Sequence, residues 1–184
     1  MRFDFHQDLD CLHKNRLEPR TFSVPYKDAE SAQKNMAALS PYYMSLNGKW
    51  SFELFEGSAS ISEETLATKP QFNIQVPGCW QMQGFDAPQY TNIRYPIPYD
   101  PPYVPDNTPI GWYQKTFTLP ESFSNRETVL RFEGIDSCAY IYVNSQFAGF
   151  SKCPHLTAEF NISEFLQGGT NTLDVFVFQW SDGT

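Results

Sequence analysis

The side chains best equipped for bond-breaking chemistry are acidic: Glu53, Asp86, Asp100, Asp106, Glu133 and Asp136. Two carboxylates about 5 Å apart would support glycoside hydrolysis with retention, and a wider pair would support inversion. None of the six lies in a signature that draws two together. Each stands on a strand face or in a turn, where a solvated carboxylate or a turn cap is the ordinary outcome. The three histidines, His6, His13 and His155, have no nucleophile placed against them, no GxSxG elbow is present, and no cysteine has a base beside it in sequence. Gly168-Gly169 lacks the context of a phosphate loop. Cys11, Cys79, Cys138 and Cys153 are scattered, with no CxxC pair and no histidine at zinc-ligand spacing, so free thiols are expected.

Binding chemistry is better represented. Residues 86–105, DAPQYTNIRYPIPYDPPYVP, hold six of the fourteen prolines and four of the ten tyrosines. Proline fixes φ and removes a donor, so this stretch is a loop and not a helix interior or a central strand. Disordered segments are poor in aromatic residues, whereas this one alternates stiff turns with rings that carry a hydroxyl at the tip. An ordered recognition surface is the reading, with Asn92, Arg94 and Asp100 between the rings and Trp80 and Trp180 nearby. Aromatic faces with a few placed amides and carboxylates are what a sugar site needs. The alternative is structural: Tyr90, Tyr95, Tyr99 and Tyr103 would plug the rim of a sandwich, Asn92 would be a turn residue, and Asp182 would belong to an ordinary Ser-Asp-Gly turn.

Such a loop needs a rigid frame, and the flanking sequence supplies strands. In LNGKWSFELF (46–55), Trp50, Phe52 and Leu54 alternate with Lys49, Ser51 and Glu53, the mark of a half-buried strand. Further strands are expected at 72–76, 112–119, 128–133, 138–143, 146–150 and 172–180, with Pro120, Gly134, Asn144-Ser145 and Gly168-Gly169 at the joints. Asn144-Ser145 reads as a hairpin turn. A short helical piece is expected across 28–39 and one helical turn across 162–166, capped by Asn161 or Ser163. Residues 1–41 lack sustained alternation and read as an extended N-terminal arm, leaving 42–184 as the sheet domain. Many short strands and almost no helix indicate an all-β chain, an antiparallel sandwich or jelly roll.

With 184 residues, the chain is long enough to bury roughly 70% of its extended-chain surface. A net charge of −8 argues against nucleic acid or an anionic membrane as partner and favours a neutral ligand. The N-terminus, MRFDFHQDLD, has neither a basic nor an apolar leader region, so a cytoplasmic location is expected.

Several stretches together resemble the N-terminal sugar-binding domain of the glycoside hydrolase family 2 β-galactosidases: NRLEPR (15–20), LNGKW (46–50), VPGCWQMQGFDAPQYTNIRYP (76–96), DPPYVP (100–105), GWYQKTF (111–117), FEGIDSCAYIYVN (132–144) and QWSDGT (179–184). The resemblance covers most of the chain and is nearer to β-galactosidases than to the β-glucuronidases or β-mannosidases of the same fold. It implies a jelly-roll β-sandwich with an extended N-terminal arm, followed in the parent enzyme by two immunoglobulin-like domains and a TIM barrel that supplies both catalytic glutamates. No catalytic residue would then lie in this chain, and its partners would be a β-galactoside and the other domains of a homo-oligomeric enzyme. The Asn of YTN and the Asp of WSDG correspond to Asn92 and Asp182. The resemblance implies that both contact the galactosyl group and that Asp182 also ligates a sodium ion whose other ligands come from the barrel; whether the parent uses magnesium as a second ion is left open by the sequence. It further implies a last strand beyond SDG, so an unpaired edge is expected beside 172–180, closed by association or leaving the last residues disordered. A free-standing carbohydrate-binding module or a structural assembly domain is the alternative.

Overall fold

Nine strands form among the residues that the computed structural model describes, 1, 3–90 and 94–184. They are β1 (His13–Lys14), β2 (Gly48–Glu56), β3 (Phe72–Val76), β4 (Pro109–Thr118), β5 (Val129–Phe132), β6 (Cys138–Val143), β7 (Gln146–Ser151), β8 (Ala158–Asn161) and β9 (Thr170–Phe178). Seven pair antiparallel in the order β1-β7-β6-β9-β4-β2-β3, and β5 pairs with β8 in a second, two-stranded sheet. The chain is thus an antiparallel β-sandwich. Asn144 and Ser145, at φ 49 and 64°, form the left-handed corner that joins β6 to β7, as the two-residue link requires.

One core lies between the sheets. Phe52, Ile141, Leu173 and Val175 of the large sheet meet Leu130, Ala158 and Phe160 of the small one. Close approach is made possible by Gly149: a Cβ there would stand 2.4 Å from the Phe160 ring. A second core covers the opposite face of the large sheet, where Trp112, Tyr140, Phe150, Phe176 and Phe178 are packed by Phe3, Phe5 and Cys11 of the arm and by Ile61 and Leu66. The arm is therefore a third layer. Phe3 and Phe5 alternate with Asp4 and lay their rings on Tyr140 at 4.9 and 5.9 Å.

Cover on both faces explains why β6 and residues 175–178 of β9 are continuous apolar runs and why both strands are central. The edge expected beside 172–180 is not there. β9 is paired with β4 along one side and β6 along the other, and its apolar run 175–178 is buried on both faces. The free edge of the small sheet is instead the outer side of β5, since β8 is bridged on its far side by Arg16 opposite Phe160.

The helical piece expected at 28–39 is split into α1 (Ala29–Gln33) and a 3-10 turn at Ala37–Leu39, with Asn35 in the left-handed region between them. Asp28 caps α1 by accepting from the Ser31 N–H at 2.8 Å. At 162–166 there is one 3-10 turn, Ser163–Phe165, and Asn161 accepts from the Ser163 N–H at 3.0 Å.

Candidate functional site

β9 delivers the chain to Ser181, where the last four residues fold back on themselves. The Thr184 N–H donates to Ser181 O at 3.1 Å, and the Ser181 N–H to Thr184 Oγ1 at 2.9 Å. The Asp182 N–H donates to His6 O at 3.0 Å, so the arm fixes this turn from outside. The Asp182 carboxylate turns inward. Its Oδ2 accepts from Lys152 Nζ at 2.7 Å, and both side chains are only 3% exposed. Lys152 follows β7, and its other ammonium hydrogens go to Asp8 O at 2.8 Å and Phe5 O at 3.3 Å.

His6 sits at the centre of this contact. Its N–H donates to Tyr140 Oη at 3.0 Å, and its ring lies with Nδ1 3.4 Å from the same oxygen. On the other side, Gln7 Nε2 is 2.9 Å from His6 Nε2, while Gln7 Oε1 accepts from the Val104 N–H at 3.4 Å. With its oxygen on Val104, the Gln7 amide must donate to the ring, which makes Nε2 an acceptor and the imidazole neutral. Burial moves the same way, lowering the His6 pKa from 6.5 to about 4. Desolvation likewise pushes the Tyr140 hydroxyl well above its ordinary range.

Gln7 thereby ties the arm to the end of the Pro/Tyr loop, and Tyr95 ties the loop to the SDG turn by donating its hydroxyl to Thr184 O at 2.8 Å. The structural alternative for the tyrosines does not hold. Tyr90 is 70% and Tyr99 84% exposed, and Tyr95 and Tyr103 are exposed as well. Gln89, Tyr90, Arg94, Tyr95, Pro96, Ile97 and Pro98 line an open groove of about 650 Å³. The rings face outward as a patch able to stack on a ligand or dock against protein.

Of the two residues assigned by resemblance, Asn92 lies outside the described residues. Asp182 lies at the junction of arm, loop and turn. Arg94 and Asp100 are exposed on the loop. Trp80 is a core residue, 6.3 Å from Phe52 and 6.5 Å from Tyr113 between ring centroids, and Trp180 is half-buried. Glu133 is held by Arg131 at 2.8 Å, His13 and His155 are exposed, and Asp86 accepts from the following N–H at 2.7 Å. Among the described residues, no three His, Cys, Asp or Glu side chains gather as a metal site. The donor set at Asp182 suits an ammonium. Lys152 occupies Asp182 Oδ2, and the sodium ion implied by the resemblance would take its other ligands from outside this chain.

Sequence reasoning missed Lys152, Gln7 and the role of His6. One signal was available: a lysine directly after the strand QFAGFS, most of which is buried, has to find a buried partner.

The model for "Glycosyl hydrolases family 2, sugar binding domain" matches residues 43–184. The chain belongs to this family. A β-galactosidase of Actinobacillus pleuropneumoniae is 40% identical over 98% of the chain, and one of Staphylococcus xylosus is 36% identical over all of it. This family 2 domain spans 18% of the length of each of these two relatives. Among solved structures, a Bifidobacterium dentium β-glucuronidase complexed with coumarin-3-O-glucuronide is 25% identical over 72% of this chain and 19% of its own, with a TM-score of 0.54. A Ruminococcus gnavus β-glucuronidase reaches a TM-score of 0.57 at 20% identity over 73% of this chain and 21% of its own, a likeness of fold. No helix among the described residues of the family 2 domain is long and apolar enough to cross a membrane.

Proposed function

We propose that this domain is the non-catalytic sugar-binding part of a retaining β-galactosidase and that it walls the galactose subsite of that enzyme. The observation that carries the reading is the Tyr95–Thr184 hydrogen bond, which ties Tyr95, three residues after Asn92 in the sequence, to the WSDG turn. Asn92 offers an amide donor and acceptor to a pair of sugar hydroxyls, and Asp182 offers the oxygen that Lys152 leaves free. The outward tyrosines dock against the remaining domains of the same chain and close the subsite from water. Names of the relatives support galactose over glucuronic acid, since the two whole-chain matches at 36 and 40% identity are β-galactosidases.

Two measurements test this. The purified 184-residue chain is expected to show no turnover of a chromogenic β-galactoside; turnover would overturn the non-catalytic assignment. In the full-length enzyme, Asp182→Ala is expected to lower kcat/KM for a β-galactoside by at least ~10²-fold, the loss of a hydrogen-bonded charged contact. An unchanged kcat/KM would remove Asp182 from the subsite.

A further inference from the structure

We propose that Gln7, an arm residue, is a positioning residue of the subsite: its amide locks the Pro/Tyr loop to the SDG turn and acts on the sugar through Asn92. The inference rests on the subsite reading above. Its own ground is a closed circuit of contacts. The Asp182 N–H donates to His6 O at 3.0 Å, the His6 ring accepts from Gln7 Nε2 at 2.9 Å, and Gln7 Oε1 accepts from the Val104 N–H at 3.4 Å. From Val104 the chain runs back to Tyr95, whose hydroxyl returns to Thr184 O in the same turn at 2.8 Å. Gln7 closes the circuit with both ends of its amide.

The links of the circuit are stiff. His6 is buried, with its N–H on Tyr140 Oη at 3.0 Å and its ring centroid 4.5 Å from that of Phe178, so the nitrogen that Gln7 meets is fixed in place. Val104 is buried as well. Between Tyr95 and Val104 stand Pro96, Pro98, Pro101 and Pro102, each of which fixes φ, so a shift at Val104 is carried along the segment and not absorbed within it. The Tyr95 bond alone fixes one point of this segment. A second anchor at Val104 also fixes its direction, and Tyr95 stands three residues after Asn92 in the sequence.

A double-mutant cycle in the full-length enzyme tests this. Gln7→Met keeps the unbranched stem of a half-buried side chain and removes both amide contacts. It is expected to lower kcat/KM for a β-galactoside about tenfold. A residue that acts through Asn92 loses its effect once the Asn92 amide is gone, whereas a loss of folded enzyme costs the same factor in either background. In the Asn92→Ala background, Gln7→Met is therefore expected to cost less than about threefold. An unchanged kcat/KM in Gln7→Met alone, or a loss of about threefold or more on top of Asn92→Ala, would overturn the proposal and leave the subsite reading standing. If Asn92→Ala by itself leaves kcat/KM unchanged, the subsite reading fails and the inference falls with it.

Discussion

Acidification should loosen the junction at His6 before it unfolds the sandwich. The ring is buried and neutral, and desolvation, the largest influence, lowers its pKa from 6.5 to about 4. Of its charged neighbours, Asp182 and Asp4 favour the imidazolium and Lys152 opposes it. Between pH 6.5 and 4 the unfolded chain carries a proton on this residue that the folded chain refuses, so the unfolded state binds more protons and stability falls with pH. The contribution is complete above pH 6.5 and is lost progressively as pH falls toward 4. At ~1.36 kcal/mol per pH unit the full displacement corresponds to about 3 kcal/mol. Polar neighbours that reorient around the charged ring reduce this, and a loss of about 2–3 kcal/mol is the expectation. For a chain of this length, that amounts to a drop in melting temperature of about 4–10 °C.

The assay compares wild type with His6→Asn, which keeps a side-chain amide beside Tyr140 and removes the titration. Glu133 and Glu159 also lose stability at low pH. Glu133 is held below the usual carboxylate range by its Arg131 hydrogen bond; at Glu159, desolvation is outweighed by the bonds from Arg20 and Arg131. Those losses occur in both proteins and cancel in the difference. The advantage of wild type over variant should be constant above pH 7 and shrink by about 2–3 kcal/mol on going to pH 4.5. A difference that does not vary with pH, or a ring titration by NMR with a midpoint near 6.5, would refute the reasoning. Because His6 O holds the Asp182 N–H, the same titration should shift the Asp182 amide resonance.

Asp174 gives the opposite slope. It lies mid-strand in β9, and its Oδ1 accepts from Trp112 Nε1 at 2.8 Å and Gln114 Nε2 at 3.0 Å, while Oδ2 is buried without a partner. Desolvation pushes its carboxyl up, so the folded state favours the neutral acid and this group costs stability as pH rises through its folded pKa. Asp174→Asn should be neutral to stabilising by about 1 kcal/mol at pH 8 and lose that advantage near pH 4, as read by urea unfolding at the two pH values. Gly149→Ala should destabilise by about 2–3 kcal/mol, because the added methyl meets the Phe160 ring and the Lys14 carbonyl; a melting temperature within 2 °C of wild type would show that the sheets are free to separate.

What the sequence disclosed and what it concealed follow from the range over which each interaction acts. Strand alternation is local, so β2, β3, β4, β6 and β9 are legible as segments, and the Asn144-Ser145 corner as a hairpin. β8 is missed because only four residues carry it and one is Glu159. This charge is tolerable in a strand because Arg20 and Arg131 reach it at 2.6 and 3.0 Å from 139 and 28 residues away. The place of β9 is a different matter: the edge expected beside it followed from a strand that the resemblance puts beyond SDG, whereas β4 and β6 already occupy both sides of β9.

The candidate site divides along the same line. Its exposed half, the Pro/Tyr loop, is written in composition, since proline excludes regular structure and tyrosine excludes disorder, and the structure turns those rings outward. Its buried half is written in separations: Lys152 meets Asp182 across 30 residues and Asp8 across 144. No window of sequence contains that ion pair. Resemblance located Asp182 without it and assigned the carboxylate a sodium ion shared with other domains. An acidic residue followed by glycine in a terminal turn does look solvated when read locally. The arm, folded back over the large sheet, helps bury the Asp182 carboxylate while Gly183 and Thr184 stay exposed. Lys152 balances the Asp182 charge there, and separating the buried pair would leave each charge unpaired.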